Sequence, residues 1–170
     1  MKNDFIAKAD EPKLADCGLA DFEALWKLDL EPVDEPNIRR GGVSSVCCLQ
    51  LDDGAYYLKR QQGYFTRSLR RPCGQSLCER EWRNIQVFQQ RGIAALTCAF
   101  FGTRDSGKEQ RAILLTHALD GFNDLASYLK SWASLPKNQR ESLVSACGEL
   151  ARNLHQAGQK HGCLYPKHIF

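Results

Sequence analysis

No stretch of apolar residues in this 170-residue chain approaches the roughly 18–20 needed to span a bilayer. The start, Met1 to Glu11, carries Lys2, Asp4, Lys8, Asp10 and Glu11 where a secretory signal would have an apolar core. Secretion and integral membrane insertion are therefore not expected. Charge of one sign is also scarce. Lys and Arg number 23 against 20 Asp and Glu, a formal net charge of +3, too small by itself to imply nucleic acid. None of the eight cysteines, at 17, 47, 48, 73, 78, 98, 147 and 163, has a C-x-x-C partner. Without an export signal a disulfide framework is disfavoured, and four zinc ligands at workable spacing are missing. The cysteines read instead as mostly small buried apolar residues. There is no internal repeat and no long linker. A content of 43% hydrophobic and 25% charged residues argues against disorder, and the length suits one domain or slightly more.

What is present is a change of period along the chain. Residues 1–20 read as an irregular or short-helical lead-in. Asp21 is an N-cap candidate for a short helix carrying Phe22, Leu25 and Trp26. Glu31-Pro32 to Glu35-Pro36 is a breaker-rich connection. After Gly41-Gly42, Val43–Leu51 predicts a strand, Asp52-Asp53-Gly54 a hairpin turn, and Ala55–Arg60 the return strand. Cys78–Arg91 predicts a helix stopped by Gly92. Two more strands, Thr97–Arg104 and Arg111–Thr116, flank the turn Asp105-Ser106-Gly107. The remainder is helical: a short helix capped by Asp124, then Pro136, then a long amphipathic helix from about Asn138 to Ala157 ended by Gly158. Ile169-Phe170 reads as the first half of a strand. Strands, one helix, two strands and then helices make an α+β order.

Certain residues in this order carry chemistry. A Gly-containing turn precedes two strands, Lys59 ends the second, and Glu81 lies on the next helix. The last stretch is His161-Gly162-Cys163-Leu164-Tyr165-Pro166-Lys167-His168, an H-x-x-L-Y-x-x-H pattern. From about Gly41 to Phe170 the chain resembles the lipopolysaccharide core sugar kinases, the Kdo/WaaP family, with a protein-kinase-like fold.

The resemblance implies an antiparallel N-terminal sheet lobe with one helix, then a partial, truncated helical C-terminal lobe. It places residues 1–36 in an N-terminal extension, 37–119 in the nucleotide-side lobe and 120–170 in a helical lobe ending in the catalytic loop. It implies ATP and Mg²⁺ as cofactors. Lys59 would meet the α/β-phosphates, and Glu81 would orient it; Glu79, two residues away and on a different face, is the competitor. Gly41, Gly42, Ser44 and Ser45 would form the phosphate-covering turn, with an ordinary β-turn as the other reading. His117, in Thr116-His117-Ala118-Leu119, would lie in the hinge whose backbone holds adenine. His161 corresponds to a mainly structural loop histidine. Tyr165 either lines a sugar site or packs in the loop. Cys163 stands where the family has its catalytic Asp, and a thiol near pKa 8.5 is mostly protonated at pH 7. His168 stands at the metal-holding Asn position, although Mg²⁺ prefers oxygen.

The implied activity is phosphorylation of an inner-core heptose or Kdo, or a related glycolipid, in the cytoplasm. The chain stops at Phe170, before the family's downstream Mg²⁺-binding Asp. With Cys163 in the Asp position, the expectation is that this 170-residue chain is inactive as given. The alternative is a pseudokinase-like regulatory protein that binds a nucleotide or glycolipid. Between Lys59 and Arg83 seven cations face two carboxylates. Arg67, Arg70 and Arg71, with Tyr64 and Phe65, would contact an anionic glycolipid or the inner-membrane surface. The patch is too short for a nucleic-acid groove.

Overall fold

A two-residue strand near the start of the chain, β1 (Phe5–Ile6), already joins the main sheet by pairing antiparallel with a strand about a hundred residues later. The computed structural model describes residues 4–170 apart from 40, 53, 64, 69, 70, 106–108 and 163; the side chains of 39, 65–68 and 71–73 are also outside the description. Two helices follow β1: α1 (Glu11–Asp16) and α2 (Phe22–Lys27). Asp21 caps α2 by accepting the N–H groups of Glu23 and Ala24 at 2.8 and 3.2 Å.

The sheet strands are β2 (Asn37–Arg39), β3 (Gly42–Leu51), β4 (Gly54–Gln62), β7 (Cys98–Asp105) and β8 (Gln110–His117). A separate hairpin, β5 (Phe65–Ser68) with β6 (Arg71–Ser76), leads into α3 (Leu77–Gln90). The six-stranded sheet has the order β1-β7-β8-β4-β3-β2, every pair antiparallel. Both of its faces are covered, which explains the unbroken apolar run Ala112 to Leu115 in β8. Side chains alternate between faces, so Ile113 and Leu115 enter one cluster with Leu14, Phe22, Leu25, Tyr56, Leu58 and Phe100. Ala112 and Leu114 enter another with Cys78, Ile85, Cys98 and Phe101, against which Trp82 packs. Helices α1 and α2 thus supply one layer and α3 the other.

The chain divides into two compact units, Met1–Gln90 with Ala94–Ala118, and Arg91–Ile93 with Leu119–Phe170. The second contains α4 (Leu125–Lys130), capped by Asp124, and α5 (Lys137–Gln156). The Ser127 N–H holds the Asp124 carboxyl below the usual carboxylate range. Helix α5 ends in a Schellman arrangement, with Gly158 at φ +67°, the Gly158 N–H donating to His155 O and the Gln159 N–H to Leu154 O. The Arg91 guanidinium donates to Ala157 O at the same helix end. Ile169 and Phe170 form no strand. A 3₁₀ turn, Pro166–His168, precedes them, and Ile169 O accepts the Leu125 N–H at 2.8 Å.

The cysteines divide more evenly than expected. Cys47, Cys78 and Cys98 are buried, but Cys17 and Cys48 are exposed, since adjacent strand residues 47 and 48 must face opposite sides. Burial pushes the Cys78 and Cys98 thiols up to about 12. Their preference for the neutral form contributes stability below the ordinary thiol pKa, and it is lost as pH rises toward 12. Only thiolates alkylate readily. Iodoacetamide at pH 8 is therefore expected to label Cys17 and Cys48 and to spare Cys78 and Cys98, as read by peptide mass spectrometry.

Candidate functional site

Strand β4 is the source of the site in the first unit. It lies between β3 and β8, and the Cα partners of Lys59 are Val46 and Leu114. Lys59 leaves the sheet on the α3 side, and its Nζ lies 2.6 Å from Glu81 Oε1. The side chains are 23% and 42% exposed, so the cation is paired yet reachable. Glu79 sits two residues nearer the helix start, where its N–H donates to Ser76 Oγ at 2.9 Å.

The start of α3 is held from two sides. Ser76-Leu77-Cys78-Glu79 has the S-x-x-E form of a capping sequence. Gln61 of β4, only 2% exposed, accepts the Cys78 N–H on its Oε1 at 3.1 Å. Cys78 itself is fully buried; its thiol is pushed up by burial, with Lys59 pulling the other way and Glu81 adding to the rise. In the sequence Gln61 looks like a solvent-facing strand residue, and only the packing of α3 on β4 shows its burial.

Gly41 lies between β2 and β3 with φ +77°. Gly63 approaches the same turn: a Cβ there would meet Gly41 O at 3.1 Å, so both positions are restricted to glycine. The register separates the two serines. Ser44 is opposite Gln61, on the Lys59 face, whereas Ser45 is opposite Arg60, on the other face.

His117 also faces away from Lys59. It is the Cα partner of Tyr56, three residues from Lys59 and hence on the opposite side. Its ring lies 4.7 Å from the Tyr56 ring, and Nε2 lies 3.0 Å from Asp10 Oδ2. Asp10, 3% exposed, also accepts the Tyr56 hydroxyl at 3.1 Å. The His117 N–H donates to Thr97 O and the Ala118 N–H to Ala55 O, so these two backbone donors are spent within the unit. Neither Asp10 nor Tyr56 was marked in the sequence; they lie 107 and 61 residues from His117.

In the second unit His161, Tyr165 and His168 come together. The His168 ring lies 6.3 Å from that of His161 and 5.8 Å, edge-on, from that of Tyr165. The His168 N–H donates to Tyr165 O at 2.8 Å. Tyr165 is exposed. Cys163, Arg70 and the side chains of Arg67 and Arg71 lie outside the described residues.

The Lipopolysaccharide kinase (Kdo/WaaP) family model matches residues 23–170. The chain belongs to this family. It is 28% identical to Protein InaA of Escherichia coli K12 over 152 residues, 88% of this chain and 70% of that protein. It is 28% identical to the lipopolysaccharide core heptose(I) kinase WaaP of Pseudomonas aeruginosa over 92 residues, 52% of this chain and 34% of that protein. A solved structure, WaaP in complex with acyl carrier protein, superposes with a TM-score of 0.63 at 19% identity, covering 90% of this chain and 56% of that one. The chain therefore spans about half the length of that WaaP chain. The likeness establishes the fold, which is α+β and protein-kinase-like.

A kinase family implies ATP as phosphoryl donor. The donor set of the first unit fits polyphosphate chemistry, with a reachable ammonium anchored by a carboxylate on a rigid strand. Among the described residues no group of three or more His, Cys, Asp or Glu could hold a metal ion. Of the described loop residues His168 is the proposed ligand, and its ring lies near those of His161 and Tyr165.

Proposed function

We propose that this chain carries the nucleotide-binding side and the catalytic loop of an ATP-dependent kinase that phosphorylates a heptose or Kdo of the lipopolysaccharide inner core, or a related glycolipid. The observation that carries the reading is the Lys59–Glu81 pair on a central strand and its packed helix, in a chain of this family. When bound, ATP supplies the transferable phosphoryl group. Lys59 holds the phosphates by charge, and Glu81 fixes the ammonium before they arrive, so little reorganisation is needed. Gly41 and Gly42 lie on the turn that leads to the Lys59 face and would offer N–H groups to phosphate oxygens, whereas Ser44, paired on both sides in the sheet, would offer its hydroxyl. In the loop, His161 would serve as a structural hydrogen-bonding residue, Tyr165 would flank the sugar, and His168 is the residue that would be offered to Mg²⁺, an ion that prefers oxygen ligands. Arg67, Arg70 and Arg71 suit an anionic glycolipid or the inner-membrane surface. No helix among the described residues is long and apolar enough to cross a membrane.

Cys163 favours a second reading, a pseudokinase that binds nucleotide or glycolipid and regulates. A protonated thiol accepts the sugar hydroxyl proton poorly, and loss of a positioned base costs about 10²–10⁴-fold. Calorimetry with ATP–Mg²⁺, followed by phosphate transfer to core oligosaccharide, separates the readings. Under the kinase reading Cys163→Asp preserves transfer or raises it by up to about that factor in the full-length protein. ATP binding with no transfer in either form rejects catalysis and leaves the regulatory role. No ATP binding by folded protein rejects both nucleotide readings.

A further inference from the structure

We infer that Gln61 is a positioning residue: its buried side-chain amide sets the register of α3 against β4 so that Glu81 meets Lys59. The role given to that ion pair rests on the nucleotide-binding reading above; the geometry of the clamp does not.

Lys59 and Gln61 are two residues apart, so they project from the same face of β4 about 6–7 Å apart. Cys78 and Glu81 are three residues apart, close to one turn of α3. Strand and helix are pinned at two matching points, Gln61 to the Cys78 N–H at 3.1 Å and Lys59 to Glu81 at 2.6 Å. The two pins differ in strength. The ion pair is 23% and 42% exposed, and a pair so open to water holds a helix weakly. The Gln61 contact is shielded, at 2% exposure, and its partner belongs to a fully buried residue. The Cys78 N–H is also one of the first-turn donors that a helix cannot satisfy internally. Ser76 serves the neighbouring donor, on Glu79, from within the helix's own cap. Gln61 thus joins this cap to the lysine strand. Without it the Cys78 N–H is left buried and unpaired, so the first turn must open or shift to reach water, and Glu81 shifts with it.

The test needs variants that separate reach from volume. Gln61→Met keeps the length but loses the acceptor. Gln61→Glu keeps an oxygen at the helix N-terminus, where negative charge is favoured. Two readouts need no nucleotide: acylation of the Lys59 amine by an N-hydroxysuccinimide ester, and alkylation of Cys78 by iodoacetamide, both followed by peptide mass spectrometry. Gln61→Met is expected to melt cooperatively yet to raise both rates at least about tenfold through local opening of the first turn. Gln61→Glu is expected to restore both toward the parent rates. A third readout is ATP–Mg²⁺ affinity. Gln61→Met and Glu81→Gln should each weaken it about tenfold, and the double variant should be no weaker than the worse single one, because both act through Lys59. A folded Gln61→Met protein with parent Lys59 and Cys78 reactivity overturns the proposal, and so do fully additive affinity losses. If the parent does not bind ATP while Lys59 reactivity still responds to Gln61→Met, the nucleotide reading fails and the positioning role stands. Should Gln61→Met fail to fold, Gln61→Asn, one methylene too short, is read by the same criteria.

Discussion

Lys59→Met is expected to weaken ATP–Mg²⁺ binding about 10- to 100-fold while leaving adenosine binding and thermal stability nearly unchanged. The two halves of that expectation have separate physical origins. A charge-assisted contact to phosphate contributes about 1.5–3 kcal/mol, which converts to roughly one to two powers of ten in affinity. Adenosine has no phosphate to lose. For the fold, the Nζ–Oε1 contact is short at 2.6 Å, but its partners are 23% and 42% exposed. Pairs of that exposure are worth about 0–1 kcal/mol to stability. Methionine keeps most of the length of the apolar stem, and Glu81, whose side chain is 42% exposed, remains solvated. Glu81→Gln should cost less than Lys59→Met, about tenfold or under, because it removes the orienting partner and not the cation. Calorimetry with ATP–Mg²⁺, ADP and adenosine, beside a thermal melt, checks all of this. A folded Lys59→Met protein with parent ATP affinity would show that the phosphates are not held on this strand. Equal losses for ATP and adenosine would instead point to a collapsed site.

The elements that could be read from the sequence are those long enough to show a period. β3, β4, β7 and β8 alternate or run apolar between turn signals, and α3 and α5 repeat at helical spacing up to Gly92 and Gly158. β1 has two residues and β2 three, too few for any period. The β5–β6 hairpin, Phe-Thr-Arg-Ser and Arg-Pro-Cys-Gly-Gln-Ser, is mostly polar, with a proline and a glycine, and lacks the alternation that marks a half-buried strand. Lys59 and Glu81 were legible as a pair because their order along the chain matches a known pattern. The face on which a residue lies was not legible, since it depends on which strand pairs with which. Ser44 and Ser45 look equivalent as neighbours, yet register puts only Ser44 on the face of Lys59. His117 looks like hinge backbone, yet pairing with Tyr56 turns its ring toward Asp10. Gln61 and Asp10 are polar residues whose importance comes from burial, and burial is decided by residues far away in sequence.

Phe22→Ala is expected to destabilise the first unit by about 3–5 kcal/mol, the range for truncating a buried aromatic side chain. Phe22 is fully buried and stacks on Trp26 at 5.8 Å between centroids with the rings 7° apart. The Arg104 guanidinium lies over the Phe22 ring, 4.2 Å from its centre. That cation is held in place by Asp4, at 2.6 and 2.8 Å, and its pKa is raised by this bond. Arg111, paired with Glu23 at 3.1 and 3.2 Å, lies over Trp26. Removing the ring therefore opens a cavity and leaves two arginines without the apolar surface they cover. The strand beneath cannot fill the gap. It presents Gly102, where even a Cβ would lie 2.9 Å from the Phe22 ring, so the backbone is already close-packed against it. Phe22→Leu keeps most of the volume and should cost only about 1–2 kcal/mol. Denaturant titration measures both, with an unchanged m-value showing that the loss is in stability and not in the extent of unfolding. Total stabilities are about 5–15 kcal/mol, so Phe22→Ala removes a large share. The residue lies just ahead of the segment matched by the family model, 23–170. A loss of this size would make α1, α2 and β1 part of the core that holds β4 and Lys59. A loss below about 1 kcal/mol, the scale of an ordinary surface substitution, would mean that the sheet stands without this layer.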